Sequence, residues 1–314
     1  MMDSPKHEAY ENGGTIVNRY ARIAIAVLAS VGLLASASAC GTSQDGAGSA
    51  HGAIPVVSSI NQWGTLAEQL GGSGVRVTSI INSTNVDAHD YEPTTSDIAK
   101  LQKARIVIVN GAGYDSWAVK ATQSAKSQVI NAAEIGGVKD GGNPHVWFSA
   151  KVRSNTADAI TAAYQKADPS HKDDYAKLNK EWHAKEDQLE SKIKETSAKT
   201  EGLPYAATES VAWYLADDLK MTDATPKGYA QASANESEPT PADIKDFQDT
   251  LKAGFIKMFV FNSQEANSTT DQITGAAKDA NVPIVELAEQ MPKQYTNLLD
   301  WMSALVDQFA AAVK

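Results

Sequence analysis

"EPTTSDI" (Glu92–Ile98) returns 146 residues later as "EPTPADI" (Glu238–Ile244), identical at five of seven positions. Both copies read as the start of a helix. Thr94 and Thr240 stand as N-caps, with Asp97 and Asp243 three residues on to close a capping box. Pro241 occupies the first helical position, where its missing N–H costs nothing. Each copy leads through a helix into a β-branched strand, "RIVIV" (Arg105–Val109) and "IKMFVF" (Ile256–Phe261). A unit that occurs twice predicts two lobes of similar build; chance recurrence of a common cap is the competing explanation.

Outward from these starts the rhythm continues. "IPVVSSI" (Ile54–Ile60) reads as a buried strand, "NQWGTLAEQLGG" (Asn61–Gly72) as a short helix ending at glycine, and "VRVTSII" (Val75–Ile81) as a second strand. In the second half, "YAATES" (Tyr205–Ser210), "IKMFVFN" (Ile256–Asn262) and "VPIVELAE" (Val282–Glu289) alternate with helical stretches, and "YTNLLDWMSALVDQFAAAV" (Tyr295–Val313) closes the chain. Such alternation predicts an α/β fold with mainly parallel sheets flanked by helices. Between the halves, Tyr175, Leu178, Trp182, Leu189 and Ile193 form one apolar stripe on an otherwise polar segment. That pattern is an amphipathic helix of about 25 residues, about 38 Å long at 1.5 Å per residue. The expected organisation is an N-terminal lobe over 54–167, one long rigid linking helix over 168–200 and a C-terminal lobe over 201–314.

The first residues read as an export signal, 1–39. Arg19 and Arg22 precede the apolar "IAIAVLASVGLL" (Ile23–Leu34), and "ASASAC" ends at Cys40. This run is shorter than the ~20 residues a membrane span needs. Cys40 is the only cysteine, so no internal disulfide forms. Its setting resembles a lipoprotein lipobox, with Ala37 where leucine is usual, and implies a lipid anchor at the outer face of the cytoplasmic membrane. Ordinary signal cleavage beside an incidental cysteine is the alternative. Residues 40–53, rich in Gly, Ser and Ala, form a flexible tether. The net charge of −10 and the lack of a basic cluster exclude nucleic acid as a partner and leave a cationic ligand unopposed.

Two histidines stand out. His89 lies in "DAHDYEPTTSDI" (Asp87–Ile98), between a strand and a capped helix, where α/β folds place ligands. The second copy has Asn235 at the matching place, so His89 is the part that capping does not need. His145 sits in "GGNPHVWFS" (Gly141–Ser149) next to Pro144. A single loop histidine is most often structural; two in similar settings raise the case for a site. His7, His51, His171 and His183 receive no role. No Gly-x-Ser-x-Gly elbow, phosphate loop or His-Glu-x-x-His pair occurs. "NGAGYDSW" (Asn110–Trp117) reads as a close turn against the sheet rather than a nucleotide loop.

With His89 and His145 in these settings, the chain resembles the zinc and manganese solute-binding lipoproteins of ABC import systems. The stretch "AHDYEPTTSDIAKLQKARIVIVNGAGYDSW" (Ala88–Trp117) resembles the segment that holds the family's first ligand. "NPHVWFS" resembles its Asp-Pro-His-x-Trp motif, with Asn143 replacing the aspartate. The family's third ligand, His or Glu, falls on Glu209 in "AATESVAWYLADDL"; the fourth falls on Glu289, with Glu286 the alternative. The resemblance thus implies a metal site of His89, His145, Glu209 and Glu289, two ligands from each lobe. Two imidazoles and two carboxylates suit Mn²⁺ or Zn²⁺. Carboxylates binding through both oxygens, and the lack of a histidine-rich loop between Trp117 and Gly141, lean towards Mn²⁺. The implied role is capture of the metal, local loop movement rather than a wide hinge, and delivery to an ABC permease with its ATPase. A membrane-anchored metal-dependent hydrolase is the alternative, with Asp90, Glu92 or Glu286 as base. A binding lipoprotein or adhesin without metal is the third reading.

Overall fold

Both halves of the chain fold into sheets of one pattern, in a computed structural model that describes residues 52–86, 88 and 91–313. The first half contains β1 (Ile54–Ile60), α1 (Asn61–Gly71), β2 (Val75–Ile81), α2 (Thr95–Lys103), β3 (Ile106–Val109), α3 (Ser116–Thr122), β4 (Gln128–Asn131), α4 (Ala132–Gly136) and α5 (Ala150–Ala167). A single helix, α6 (Lys172–Thr200), leads to the second half. There follow β5 (Pro204–Ala207), α7 (Trp213–Asp218), β6 (Thr222–Asp223), α8 (Lys227–Ala234), α9 (Pro241–Lys252), β7 (Met258–Asn262), α10 (Ser268–Asp279), β8 (Ile284–Leu287) and α11 (Leu298–Ala312). The strand orders are β2-β1-β3-β4 and β6-β5-β7-β8, every described pair parallel. Two similar lobes, each a parallel sheet flanked by helices, are the expected fold class.

Strand character follows position in the sheet. Central β3 is buried at all four residues, so its sequence is a continuous apolar run. Edge strand β4 buries only Ile130, and β6 is two exposed residues. Neither carries an alternating or fully apolar pattern, which is why the sequence did not announce them.

The repeated helix starts close as expected. The Thr94 hydroxyl accepts from the Asp97 N–H at 3.2 Å, and the Asp97 carboxylate accepts from the Thr94 N–H at 3.0 Å. Thr240 and Asp243 repeat this at 3.3 and 3.0 Å. Each such cap is worth about 1 kcal/mol. The first copy has an additional tie: the Tyr91 hydroxyl donates to Asp97 Oδ2 at 2.8 Å. Burial alone would raise the Asp97 pKa, but hydrogen bonds from Thr94, Lys100 and Tyr91 hold it well below the usual carboxylate range.

Helix α6 runs 29 residues, after a 3-10 turn at Pro169–His171. Of the predicted stripe, Tyr175, Trp182, Leu189 and Ile193 are buried and Leu178 is half-buried. The helix packs on α5, α1 and α11. Burial of an aliphatic side chain such as Leu189 or Ile193 is worth about 1.5–3 kcal/mol, so packing rather than intrinsic propensity holds so polar a helix.

The carboxyl ends of the strands meet between the sheets, the usual place for a ligand in open α/β sheets. Beyond β1, Asn61 Nδ2 donates to the Met291 carbonyl at 2.8 Å, and Gln62 Nε2 donates to the Glu289 carbonyl at 2.7 Å. The export segment, Cys40, the tether to residue 51, His7, His51, His89 and Asp90 lie outside the described residues. Among the described residues, no helix is long and apolar enough to cross a membrane.

Candidate metal centre

His145 opens the 3-10 turn Val146–Phe148, whose three side chains are buried. Two clamps fix this turn. Asn110, at the end of β3, donates through Nδ2 to the Pro144 carbonyl at 2.8 Å. Arg153, fully buried in α5, donates through Nη1 to the Trp147 carbonyl at 3.1 Å and the Phe148 carbonyl at 2.9 Å. The same guanidinium meets buried Glu186 of α6, Nη2 to Oε1 at 2.7 Å. An uncompensated buried charge is very costly, so this pair ties the linking helix to the turn behind His145. Gly111 allows the β3 exit to pass close by: its φ is +80°, and a Cβ there would lie 2.0 Å from Asn131 Oδ1. "NGAGYDSW" is accordingly a turn packed against the sheet.

Asn143, where the family motif has aspartate, orients the imidazole. Its Oδ1 accepts from the His145 backbone N–H at 3.0 Å and lies 2.9 Å from His145 Nδ1. Its Nδ2 donates to the Ser210 carbonyl at 2.8 Å, which fixes which end of the amide faces the histidine. Nδ1 therefore carries a proton and Nε2 faces the opposite way, the arrangement that typically prepares a histidine for a metal.

Two carboxylates stand where Nε2 points. Glu209, two residues beyond β5, places Oε1 3.4 Å away; Glu289, two beyond β8, places Oε2 3.6 Å away. One ligand atom from each of the three residues lies within 4.8 Å of the others. Donors about 2.1 Å from a tetrahedral ion stand about 3.4 Å apart, so the spacing fits one metal ion. Burial by itself would depress the His145 pKa, but Glu209 and Glu289 together outweigh it and raise it to about 9. Without metal, a proton supplies the positive charge that the carboxylates demand.

A network of neutral donors supports the carboxylates. Asn262, at the end of β7, donates through Nδ2 to Glu209 Oε2 at 2.7 Å and Glu289 Oε1 at 2.9 Å. The Tyr114 hydroxyl donates to Glu289 Oε2 at 2.8 Å and accepts from Gln290 Nε2 at 2.8 Å. Beside Glu209 opens a cavity of about 470 Å³ whose walls include Glu236, Glu238 and Glu265. A cleft of one charge sign concentrates counter-ions, here cations, at its mouth.

Three of the residues singled out from the sequence thus come together: His145, Glu209 and Glu289. His89 falls outside the described residues, though Ala88 beside it is buried in the core. Glu286 is exposed on β8, between buried Val285 and Leu287, and Glu92 is exposed as well. Asn262, Tyr114, Gln290 and Arg153 were not foreseen. The available signal was an asparagine ending an apolar strand, present twice, in "RIVIVN" and "MFVFN".

The family model described as "ZnuA: Zinc-uptake complex component A periplasmic" matches residues 56–312. The high-affinity zinc uptake system protein ZnuA of Bacillus subtilis is 23% identical over 67% of this chain and 71% of its own length. The manganese-binding lipoprotein MntA of the same organism is 31% identical over 46% of this chain and 49% of its length. Among solved structures, the periplasmic zinc-binding protein TroA of Treponema pallidum superposes with a TM-score of 0.70 at 15% identity, covering 83% of this chain and 99% of that one. This last likeness is one of fold.

Proposed function

We propose, from the premise that this chain belongs to the ZnuA family and so to the metal-binding solute-binding proteins of ABC importers, that it captures Mn²⁺ or Zn²⁺ with His89, His145, Glu209 and Glu289 and delivers the ion to a membrane permease driven by an ATPase. The observation that carries the site is the convergence of Glu209 and Glu289, just beyond β5 and β8 of the second sheet, on His145 of the 3-10 turn between α4 and α5 in the first half, with donor spacings of 3.4 and 3.6 Å at the imidazole. His89 completes the set from the loop between β2 and α2. Neutral imidazoles and two carboxylates leave a bound M²⁺ formally neutral, which suits a site this buried.

The role is binding, not catalysis. Both carboxylates at the centre serve as ligands, the family is one of solute-binding proteins, and of the candidate bases Glu92 and Glu286 are exposed while Asp90 lies outside the described residues. Export by residues 1–39 and a lipid on Cys40 would hold the protein at the outer face of the cytoplasmic membrane, in line with relatives named as lipoproteins.

Calorimetric titration of His89→Ala, His145→Ala, Glu209→Ala and Glu289→Ala with Zn²⁺ and Mn²⁺ tests the assignment. Each should weaken binding at least 100-fold, while Glu286→Ala should bind as the parent does. Parent-like affinity in His145→Ala or Glu209→Ala would remove the site. Loading should also stabilise the fold, by about 2.7 kcal/mol when free metal is 100 times Kd.

A further inference from the structure

We propose that Asn262 is a specificity-determining residue: its side-chain amide holds one oxygen of Glu209 and one of Glu289, so each carboxylate offers the ion a single oxygen and the site prefers four-coordinate Zn²⁺ to Mn²⁺. The inference rests on the reading of His145, Glu209 and Glu289 as ligands.

Asn262 is 2% exposed, and its orientation is set from three sides. Its backbone N–H donates to Thr208 Oγ1 at 3.0 Å, in the segment that leads into Glu209. Its Oδ1 accepts from the Gln264 N–H at 3.1 Å. With the oxygen end engaged there, the NH₂ end faces the carboxylates, and each of its two hydrogens serves one: Glu209 Oε2 at 2.7 Å and Glu289 Oε1 at 2.9 Å.

The oxygens that the amide does not hold are the ones beside the imidazole, Glu209 Oε1 and Glu289 Oε2, the latter also accepting from the Tyr114 hydroxyl at 2.8 Å and keeping a second lone pair for an ion. Each carboxylate is thereby divided, one oxygen turned to the amide and one to His145. Binding an ion through both oxygens requires the carboxyl group to turn until the two are about equally distant from it. That turn would pull the second oxygen off the amide and break a charge-assisted hydrogen bond, a type roughly twice as strong as a neutral one. The lean towards manganese drawn from the residue types assumed both oxygens were available. Zinc is satisfied by four nitrogen and oxygen donors at about 2.0–2.2 Å, whereas manganese favours a larger, oxygen-rich shell. An amide that limits each carboxylate to one oxygen penalises the larger shell and leaves the smaller one intact.

The test is competitive titration of the full-length protein with Zn²⁺ and Mn²⁺, comparing the parent with Asn262→Ala and Glu209→Ala. X-ray absorption spectroscopy of each metal-loaded form reports coordination number. Parent protein should show four ligands to zinc. Asn262→Ala should lower the ratio Kd(Mn)/Kd(Zn) about tenfold, equivalent to about 1.4 kcal/mol, and add a carboxylate oxygen to bound manganese. A merely structural role would weaken both metals alike and leave the ratio unchanged, which would overturn the inference. So would a parent spectrum with bidentate carboxylates. Parent-like binding in Glu209→Ala would instead show that the site itself is misassigned. Asn262→Ser, which retains a hydroxyl donor for one carboxylate, should give an intermediate ratio and serves if the alanine variant fails to fold.

Discussion

Removing the Asn143 amide isolates how much of the metal affinity depends on holding His145 in place. Asn143 Oδ1 takes both the backbone N–H and the Nδ1 side of His145, at 3.0 and 2.9 Å, while Nδ2 crosses to Ser210 at 2.8 Å. In Asn143→Ala the ring loses its orienting partner and the turn loses a tie to the residue next to Glu209. Loss of an outer hydrogen-bond partner of a metal-binding histidine typically weakens binding 10–100-fold, or about 1.4–2.7 kcal/mol. Competition calorimetry in the single and double variants measures it. If Asn143 acts through His145, Asn143→Ala should add little in a His145→Ala background. Asn143→Asp supplies the motif's usual residue and separates the two contacts. It keeps an acceptor for His145 but sets an oxygen against the Ser210 carbonyl, where a donor now stands. Metal affinity should partly recover while the metal-free protein loses about 0.5–1.5 kcal/mol, the net worth of one hydrogen bond at this solvent-accessible position. An Asn143→Ala variant within twofold of the parent, or equally damaging without His145, would refute the account.

Metal uptake should be coupled to proton release. The metal-free His145 pKa is raised to about 9 by Glu209 and Glu289 against the effect of burial, so near pH 7.5 each bound ion should expel close to one proton, read from calorimetry in buffers of differing ionisation enthalpy. Because the folded pKa lies above the unfolded one, the stabilisation from protonated His145 is complete below about pH 6.5 and is lost as pH rises through about 9. Denaturant midpoints of metal-free protein should fall over that window, and those of loaded protein should not. Arg153→Met, which strands buried Glu186 and frees the Trp147 and Phe148 carbonyls, should cost about 3–5 kcal/mol in urea unfolding; Arg153→Met with Glu186→Leu should regain much of it. Neutralising Glu236, Glu238 and Glu265 together to glutamine should slow metal association in stopped flow, most at low salt, with little change in the dissociation rate.

What could be read from the chain followed the range of the forces involved. The bounds of β1 and β2 and the two capping boxes are set by residues within a few positions of one another, and they appear as expected. The different placement of Glu286 and Glu289 was also open to local reasoning. Val285 and Leu287 are buried, so period-two alternation turns Glu286 to the opposite face, and Glu289 clears the strand end. Asn262, Tyr114 and Arg153 were not readable in this way. Their partners lie 27, 175 and 33 residues away, brought near only when the sheets and α6 assemble. Arg153 in particular sits on a helix where an arginine reads as surface, and only its buried partner Glu186 reverses that reading.

The same long-range bonds bear on how an ion enters. Asn61 pairs twice with Met291, Gln62 holds the Glu289 carbonyl, Tyr114 holds the Glu289 carboxylate, Gln264 holds the Val86 carbonyl, Asn143 holds Ser210, and Tyr214 holds the Asn143 carbonyl. Separating the halves would break all of these, at about 0.5–1.5 kcal/mol net for each, and would expose shared core such as the Phe148–Trp301 contact, with ring centroids 5.7 Å apart. The summed cost approaches the roughly 8 kcal/mol released by micromolar binding, so a wide hinge would consume most of what the ion provides. Metal loading should therefore leave the distance between the lobes nearly fixed. Spin labels at Lys103→Cys on α2 and Lys252→Cys on α9, both exposed positions, in a Cys40→Ser background would report it by pulsed electron resonance. A shift beyond about 2 Å on adding Zn²⁺ or Mn²⁺, the scale of domain rearrangement, would mean that these contacts yield. A distribution that does not move would confine entry to the loops at the strand ends.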